Sequence, residues 1–501
     1  MCRSHAATSP SLKAESFIDP ANRLPAADDV PLCVDLDGTL AATDVLAEGL
    51  VVLVTRAPWL APLVPWWLGH GRARLKREVE RRFPVCAERL PYRAEVVDLV
   101  RRAAADGRSV YLATGADAAA ASAVTAHLGG FAGVFASDGV TNLTGTRKAD
   151  ALRSRFGVRG FDYAGNDAID AAVWRVARRA YVMGSDRIAK HAAAVAPIAM
   201  HWRPPDAGVA GRLAAAWAAL RPHQWIKNLL VFVPMLAAHR IGDLSLWRQA
   251  IAAWAAFSMA ASAAYVLNDL ADLGSDRRHP RKRRRPFASG RLPVAAGAAL
   301  VPLVLAAAAL LAWALPHAFG AWLFIYLVLT TAYSMGVKRL GGVDVVVLAA
   351  LYALRVVAGA AATGIVLSGW LIAFSACMFL SLALVKREVE LHSVRRAGGE
   401  RTPGRAYRLS HLRHVRIAGW FAALGAVGVL GVYVLRPDVT ALYRHPGWLW
   451  AGCALIAAWL AHIWRRAAHG HMHDDPLVFA LSDRWSYATL VVLVLTVIAA
   501  T

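Results

Sequence analysis

Asn268-Asp269-Leu270-Ala271-Asp272-Leu273-Gly274-Ser275-Asp276 leaves a long apolar segment and runs directly into Arg277-Arg278-His279-Pro280-Arg281-Lys282-Arg283-Arg284-Arg285-Pro286. Positions three and four apart are neighbours on a helix, so Asn268, Asp269, Asp272 and Asp276 fall on nearby faces of a helix end. Such a cluster repels itself, and at the edge of a membrane it is costly unless a divalent cation neutralises it. Hard oxygen donors favour Mg2+ bridged to a phosphate-bearing substrate, and the basic run adds positive charge for phosphate oxygens. For the acidic residues alone, a polar loop with a topogenic basic flank is an equally good account.

The full spacing, NDxxDxxxD, resembles the signature of the UbiA family of intramembrane prenyltransferases, and the resemblance extends over roughly residues 215 to 501. It implies an all-α polytopic bundle in which Asn268, Asp269, Asp272 and Asp276 bind Mg2+ and the diphosphate of an activated substrate at the cytosolic mouth.

Composition agrees with a membrane protein carrying a second domain. The chain has 501 residues, 57% of them hydrophobic, and a formal net charge of +22; its mean hydropathy is +0.41, too apolar for an ordinary soluble protein of this size. Lys and Arg gathered in cytosolic loops explain the charge through topology and anionic lipid, so nucleic acid is discounted as a partner. Cys2, Cys33, Cys86, Cys377 and Cys453 are scattered, with no CxxC pair, and predict reduced thiols without a zinc site. Residues 1–29 have no apolar core and are expected to be disordered.

From Pro31 the chain changes character. Leu32-Cys33-Val34 followed by Asp35-Leu36-Asp37-Gly38-Thr39 reads as a buried strand delivering two carboxylates to a turn at its C-terminal end, where open α/β sheets bind ligands. One carboxylate can attack a phosphoryl group while the other handles the leaving oxygen's proton. Strand-DxDGT resembles the haloacid dehalogenase-like (HAD) phosphatases. That resemblance implies Asp35 as nucleophile, Asp37 as general acid/base, Thr114 at the end of a second strand and Lys148 as phosphate binders. It also implies Mg2+ held by Asp35, Asp37, Asp167 and Asp170, although Asn166 stands where the family's first acidic ligand aligns. A carboxamide brings no charge, which puts the metal site in question and leaves open a non-catalytic, regulatory domain. The HAD-like domain is expected over 30–200, with a helical cap at about 44–98 and further strands at 133–136, 180–183 and 195–199. Trp59, Trp66 and Trp67 beside Arg72, Arg74, Lys76 and Arg77 suit either cap core or a surface touching the bilayer. A linker is expected over 201–213 and the bundle over 214–501.

The bundle reads as about nine spans, each near the ~20 residues needed to cross the hydrocarbon core, centred near residues 232, 257, 304, 325, 353, 375, 425, 455 and 492. Basic residues fall in alternate loops. The positive-inside rule then places the Asp-rich loop and the N-terminal domain in the cytosol of a bacterial-type inner (cell) membrane. Lys227, Asn228, Lys338, Arg339, Asp344, Arg355, Lys386, Arg387 and Glu390 bring charges from several helices to one depth, and form the candidate substrate-binding set. Singly, each reads more readily as an interfacial anchor or a packing ion pair than as a catalytic group. His469, His471, His473, Asp474 and Asp475 give no defined ligand face, and a solvated loop is expected there.

RPxxWxKN at 221–228 and Lys386-Arg387…Glu390 resemble the decaprenyl-phosphate phosphoribosyltransferases within the UbiA family. The second acidic motif that holds a prenyl diphosphate in other branches is replaced by this cationic set, which suits a lipid monophosphate. The resemblance implies phosphoribosyl pyrophosphate and a polyprenyl phosphate as substrates, with membrane lipids as surroundings and oligomerisation left open. The family at large implies the alternative, transfer of a prenyl group from its diphosphate to an aromatic or glycerol acceptor.

Overall fold

A computed structural model of the chain describes residues 30–204, 208–402, 405–441, 443–472, 475–480 and 482–500. The stretch expected to be disordered, 1–29, lies outside them, as do Pro205 and Asp206 of the expected linker and His473 and Asp474. The chain divides into two compact units: Met1–Ala219 with Val266–Leu300, and Leu220–Tyr265 with Val301–Thr501. The Asp-rich stretch, read from sequence with the bundle, groups with the N-terminal residues.

The first unit is built on a six-stranded parallel sheet of order β3-β2-β1-β4-β5-β6. Its strands are β1 (Leu32–Val34), β2 (Val110–Asp117), β3 (Gly133–Ser137), β4 (Asp162–Gly165), β5 (Ala180–Met183) and β6 (Ile198–Trp202). The helices that connect them are α1 (Val45–Arg56), α2 (Leu63–Gly69), α3 (Arg72–Arg82), α4 (Ala94–Ala105), α5 (Ala118–Leu128), α6 (Thr146–Phe156), α7 (Ala171–Trp174) and α8 (Asp186–Ala193). A parallel sheet covered on both faces demands apolar runs, not alternation. Leu32 and Val34 accordingly enter one core with Leu36, Leu112 and Val124, and Cys33 enters the other with Phe161, Tyr163 and Trp174. The last strand begins three residues later than expected. Pro197 has no N–H to donate, and its carbonyl accepts the Ala180 N–H at 2.8 Å.

Over 44–98, where a cap is expected, the chain forms α1 to α3 and the start of α4. Asp44 caps α1 by accepting the Ala47 N–H at 2.8 Å. Leu53, Trp67, Leu75 and Val79 make a small core, whereas Trp59 and Trp66 stay exposed.

The remaining helices are α9 (Val209–Leu220), α10 (Val233–Ala237), α11 (Leu244–Ala271), α12 (Leu273–Asp276), α13 (Val294–Trp313), α14 (His317–Met335), α15 (Val343–Thr363), α16 (Gly369–Arg396), α17 (Leu412–Val434), α18 (Pro437–Thr440), α19 (Trp448–Ala468), α20 (Pro476–Ala480) and α21 (Arg484–Ala500). Among the described residues, six helices are long and apolar enough to cross a membrane: α11, α13, α14, α15, α16 and α17 with its leading turn. The other three segments read as spans are built differently. The stretch near 232 is a 3-10 helix, Pro222–Phe232, running into the five residues of α10. The helix near 455 carries Arg465 and Arg466 in its last turn, and the one near 492 has 17 residues.

Candidate functional site

Three charged groups carry the residues singled out from sequence. In the first, β1 ends just before Asp35, and Gly38 at φ +79° turns the chain so closely against Asn166 that a Cβ there would lie 2.2 Å from its Nδ2. Lys148, buried on α6, donates to Asp35 Oδ1 and to the Tyr163 hydroxyl, each at 2.8 Å. Tyr163 donates onward to Asp170 Oδ1 at 2.9 Å. The other Asp170 oxygen accepts the backbone N–H groups of Asn166 and Asp167 at 2.9 and 3.0 Å. Asp170 therefore orients Lys148 through Tyr163 and fixes the 166–167 turn. Asp167 itself is exposed. Asp37 accepts the Val45 N–H at the start of α1 at 2.9 Å, Thr114 is fully buried with its oxygen accepting from Ala116 N–H at 3.0 Å, and Thr39 donates to Asn166 Oδ1 at 3.0 Å.

Burial raises both carboxyl groups of the turn. Asp35 is pushed up to about 6, with the Lys148 ammonium opposing the shift. Asp37 is pushed up to about 8 by burial and by the negative neighbours Asp44 and Asp35. A carboxylate beside an ammonium, next to a carboxyl that keeps its proton near neutrality, suits attack on a phosphoryl group followed by protonation of the leaving oxygen. Two contributors escaped the sequence reading. Tyr163 sits on β4 among core residues and carries no outward sign of its role. Lys76 of α3 donates to the Gly115 carbonyl at 2.5 Å and Asn142 Oδ1 at 2.8 Å, and burial lowers its pKa. Its signal was positional: Ala73, Lys76 and Glu80 recur three and four apart on a stripe that is largely buried.

The second group is the Asp-rich stretch itself. It is helical through Ala271, and Asp272 then stands at the N-cap position of α12 without a side-chain capping bond. Asp269 and Asp276 are buried, and one Arg285 nitrogen bridges them at 2.9 and 2.6 Å. Sequence reading offered the basic run to phosphate oxygens, but Arg285 is spent on the carboxylates. Burial raises the Asp276 pKa against the pull of Arg285. Its Oδ1 lies buried without a hydrogen-bond donor. That oxygen and the other carboxylate and carboxamide oxygens of the stretch, spread over the end of α11 and the start and end of α12, are donors of the kind Mg2+ takes. Among the described residues, no three His, Cys, Asp or Glu side chains form a closed metal-binding group, either here or at the Asp35 turn.

The third group lies in the second unit and splits in two. Lys227 and Lys386 each donate to Asp475 Oδ2 at 2.9 Å, and the Tyr352 hydroxyl lies 2.9 and 2.8 Å from the two Asp475 oxygens. Arg355 adjoins them, donating to Asn228 Oδ1 at 2.8 Å and lying over the rings of Phe257, Tyr326 and Tyr352. Asn228 in turn donates to Ser258 at 3.0 Å. Asp475 is buried rather than solvated, which corrects the expectation for that loop. Its lysine neighbours hold it well below the usual carboxylate range despite its burial. Arg387, Asp344 and Glu390 are drawn into another network. Arg387 pairs with Asp344 at 2.9 Å and with Glu390, Arg405 pairs with Glu390 at 3.1 Å, and Tyr407 donates to Asp344 at 2.6 Å. Lys338 and Arg339 form a 3-10 turn in which Lys338 is half-buried and Arg339 exposed.

Residues 213–496 match the UbiA prenyltransferase family. The chain is 36% identical over 461 residues to the uncharacterized protein y4nM of Sinorhizobium fredii, covering 91% of this chain and 88% of that one. It is 37% identical over 271 residues to nodulation protein NoeC of Azorhizobium caulinodans (53% and 86%). It is 35% identical over 243 residues to decaprenyl-phosphate phosphoribosyltransferase of Mycobacterium tuberculosis (47% and 78%). A family match spanning more than half of the residues, over the helices that are long and apolar enough to cross a membrane, means that this chain belongs to the UbiA prenyltransferase family.

Proposed function

We propose that the bundle transfers 5-phosphoribose from phosphoribosyl pyrophosphate to a polyprenyl phosphate, and that the N-terminal unit is a HAD-like phosphatase that removes the 5-phosphate from the product. The observation that carries this reading is the surplus of positive charge at buried Lys227 and Arg355 and partly exposed Lys386, with Asp475 as the carboxylate among them. A phosphate monoester supplies the missing negative charge, whereas a Mg2+-bound diphosphate would bring its own cation. The relatives named decaprenyl-phosphate phosphoribosyltransferase support the same choice.

In the transfer, a lipid phosphate oxygen bonds to the anomeric carbon while the bond from that carbon to pyrophosphate breaks and its electron pair leaves with pyrophosphate. Lys227, Lys386 and Arg355 bind and orient the lipid phosphate. Asn268, Asp269, Asp272 and Asp276 would hold Mg2+, which would supply positive charge for the departing diphosphate. In the phosphatase, the Asp35 carboxylate attacks phosphorus and Asp37 gives its proton to the ribose 5-oxygen. Water then cleaves the acyl phosphate with Asp37 as base, while Lys148 and Thr114 hold the phosphate oxygens. We place the unit in the cytosol and the bundle in the inner membrane, following the distribution of basic loops.

Incubation of the purified protein with Mg2+, polyprenyl phosphate and labelled phosphoribosyl pyrophosphate tests this directly. A ribosyl lipid lacking the 5-phosphate is the expected product, and Asp35→Asn should leave that phosphate in place. No ribosyl lipid, with turnover of a prenyl diphosphate instead, would move the protein to the aromatic or glycerol prenyltransferases. Asn166 favours the companion idea that the N-terminal unit is then a non-catalytic regulator.

A further inference from the structure

Arg277 follows Asp276 directly and ends α12, yet its guanidinium is bound to the cap. It lies 2.5 and 3.0 Å from the two carboxylate oxygens of Glu48, and donates to the Arg89 carbonyl at 3.0 Å and the Ala288 carbonyl at 3.3 Å. Both side chains of the ion pair are largely buried. Glu48 lies in the first turn of α1, the helix whose leading N–H, that of Val45, holds Asp37 at 2.9 Å. The same Glu48 accepts the Thr43 hydroxyl at 2.6 Å, and the Thr43 carbonyl takes the Gly38 N–H at 3.1 Å. The loops also touch directly: a Cβ on Gly290, at φ +75°, would lie 2.4 Å from the Ala42 carbonyl oxygen. An unbroken path of short contacts therefore joins Asp276 to Asp37 within one compact unit.

We propose that the Glu48–Arg277 pair is a strut coupling the Asp-rich loop to the carboxylate turn, so that a Mg2+-bound diphosphate held by Asp269 and Asp276 fixes the Asp37 turn as well. This rests on the reading of the Asp-rich loop given above, but not on phosphatase activity. A buried bidentate pair transmits a shift because neither partner can relax into water without leaving the other's charge uncompensated. Linkage makes the coupling reciprocal: a ligand on the Asp35–Asp37 turn tightens diphosphate binding by the same factor. Glu48 and Arg277 are positioning residues here, since neither is expected to touch a substrate.

Amide hydrogen exchange of the full-length protein in detergent, with and without Mg2+ and inorganic pyrophosphate, tests the strut. The wild type should show slower exchange in 266–290 and also in 36–48, by about fivefold or more, the lower end of ordinary coupling. In Glu48→Gln and in Arg277→Met the protection of 266–290 should persist while that of 36–48 disappears; two variants guard against one failing to fold. Asp269→Asn should abolish both. Protection of 36–48 that survives Asp269→Asn would mean pyrophosphate binds that turn directly, and protection that survives Glu48→Gln and Arg277→Met would mean another path; either overturns the strut. Protection of 266–290 alone in the wild type overturns it too and leaves the diphosphate assignment standing. No protection of 266–290 removes that assignment and the strut with it.

Discussion

Lys386 and Arg387 are consecutive on one helix and were read from sequence as one cationic substrate site, yet they end in clusters of different kinds. Lys386 joins Lys227 and Arg355 around a lone carboxylate, Asp475. Arg387 joins Arg405 opposite two carboxylates, Asp344 and Glu390. A helix turns about 100° between neighbours, so adjacent side chains are presented to different partners. The first cluster keeps positive charge to spare and the second is balanced. Buried charge that is internally compensated braces a fold, whereas buried charge in excess is a standing cost that an anionic ligand relieves.

That contrast is most exposed to test at Arg387. Arg387→Met leaves fully buried Asp344 without its closest cation, and breaking a buried pair from one side costs about 3–5 kcal/mol. The variant should lose folded protein on extraction, and no added phosphate should restore it. A well-folded, merely inactive Arg387→Met would break the comparison. Asp475→Asn should come next in size. It leaves Lys227 and Lys386 facing each other, so stability should fall, but inorganic phosphate should recover more of the lost Tm in the variant than in the wild type, because binding to the folded state alone stabilises it. Equal phosphate effects in the two proteins would count against an anion site.

Lys386→Met tests function more than folding, since Lys386 is partly exposed and its removal still leaves Lys227 on Asp475. Loss of one partner in a desolvated charge contact is worth about 2 kcal/mol or more, or roughly thirtyfold in kcat/KM for the lipid phosphate. The Tm should move little. A large Tm loss with unaltered kinetics would reassign Lys386 to the brace.

How much of this was legible in the sequence follows from chain distance. The Asp35 turn was readable because a strand, a turn and two carboxylates are contiguous, and β1 and β2 lie where the apolar runs put them. The Asp-rich motif was readable for the same reason, although its grouping with the N-terminal unit was not. Asp475 was set aside as loop because nothing local announces that a carboxylate after three histidines will be buried between lysines from two distant segments. Arg387 and Lys386 could not be separated either, since their partners lie on α15 and in the loop just before α20, and only packing decides which is met. Tyr163 shows the same limit inside the sheet, where a core aromatic doubles as the link between Lys148 and Asp170.

Glu390→Gln should have the smallest effect, and it is the finest test of what balance means. Glu390 is partly exposed, as is Arg405, and Arg387 keeps Asp344 and the Tyr333 hydroxyl, 2.9 Å away, when the Glu390 charge is removed. Solvent reaches this edge of the network, so the loss should be about 1 kcal/mol or less, with transfer kinetics close to wild type. The substitution also shifts the cluster from balanced to one positive charge in excess, the condition that distinguishes the Lys386 group. If charge surplus alone made an anion site, Glu390→Gln should acquire phosphate-dependent stabilisation in thermal melts. We expect it not to, because Arg387 stays locked against Asp344 and cannot turn to a ligand. Phosphate rescue in Glu390→Gln would show that net charge, and not the placement of the cations, separates the two clusters.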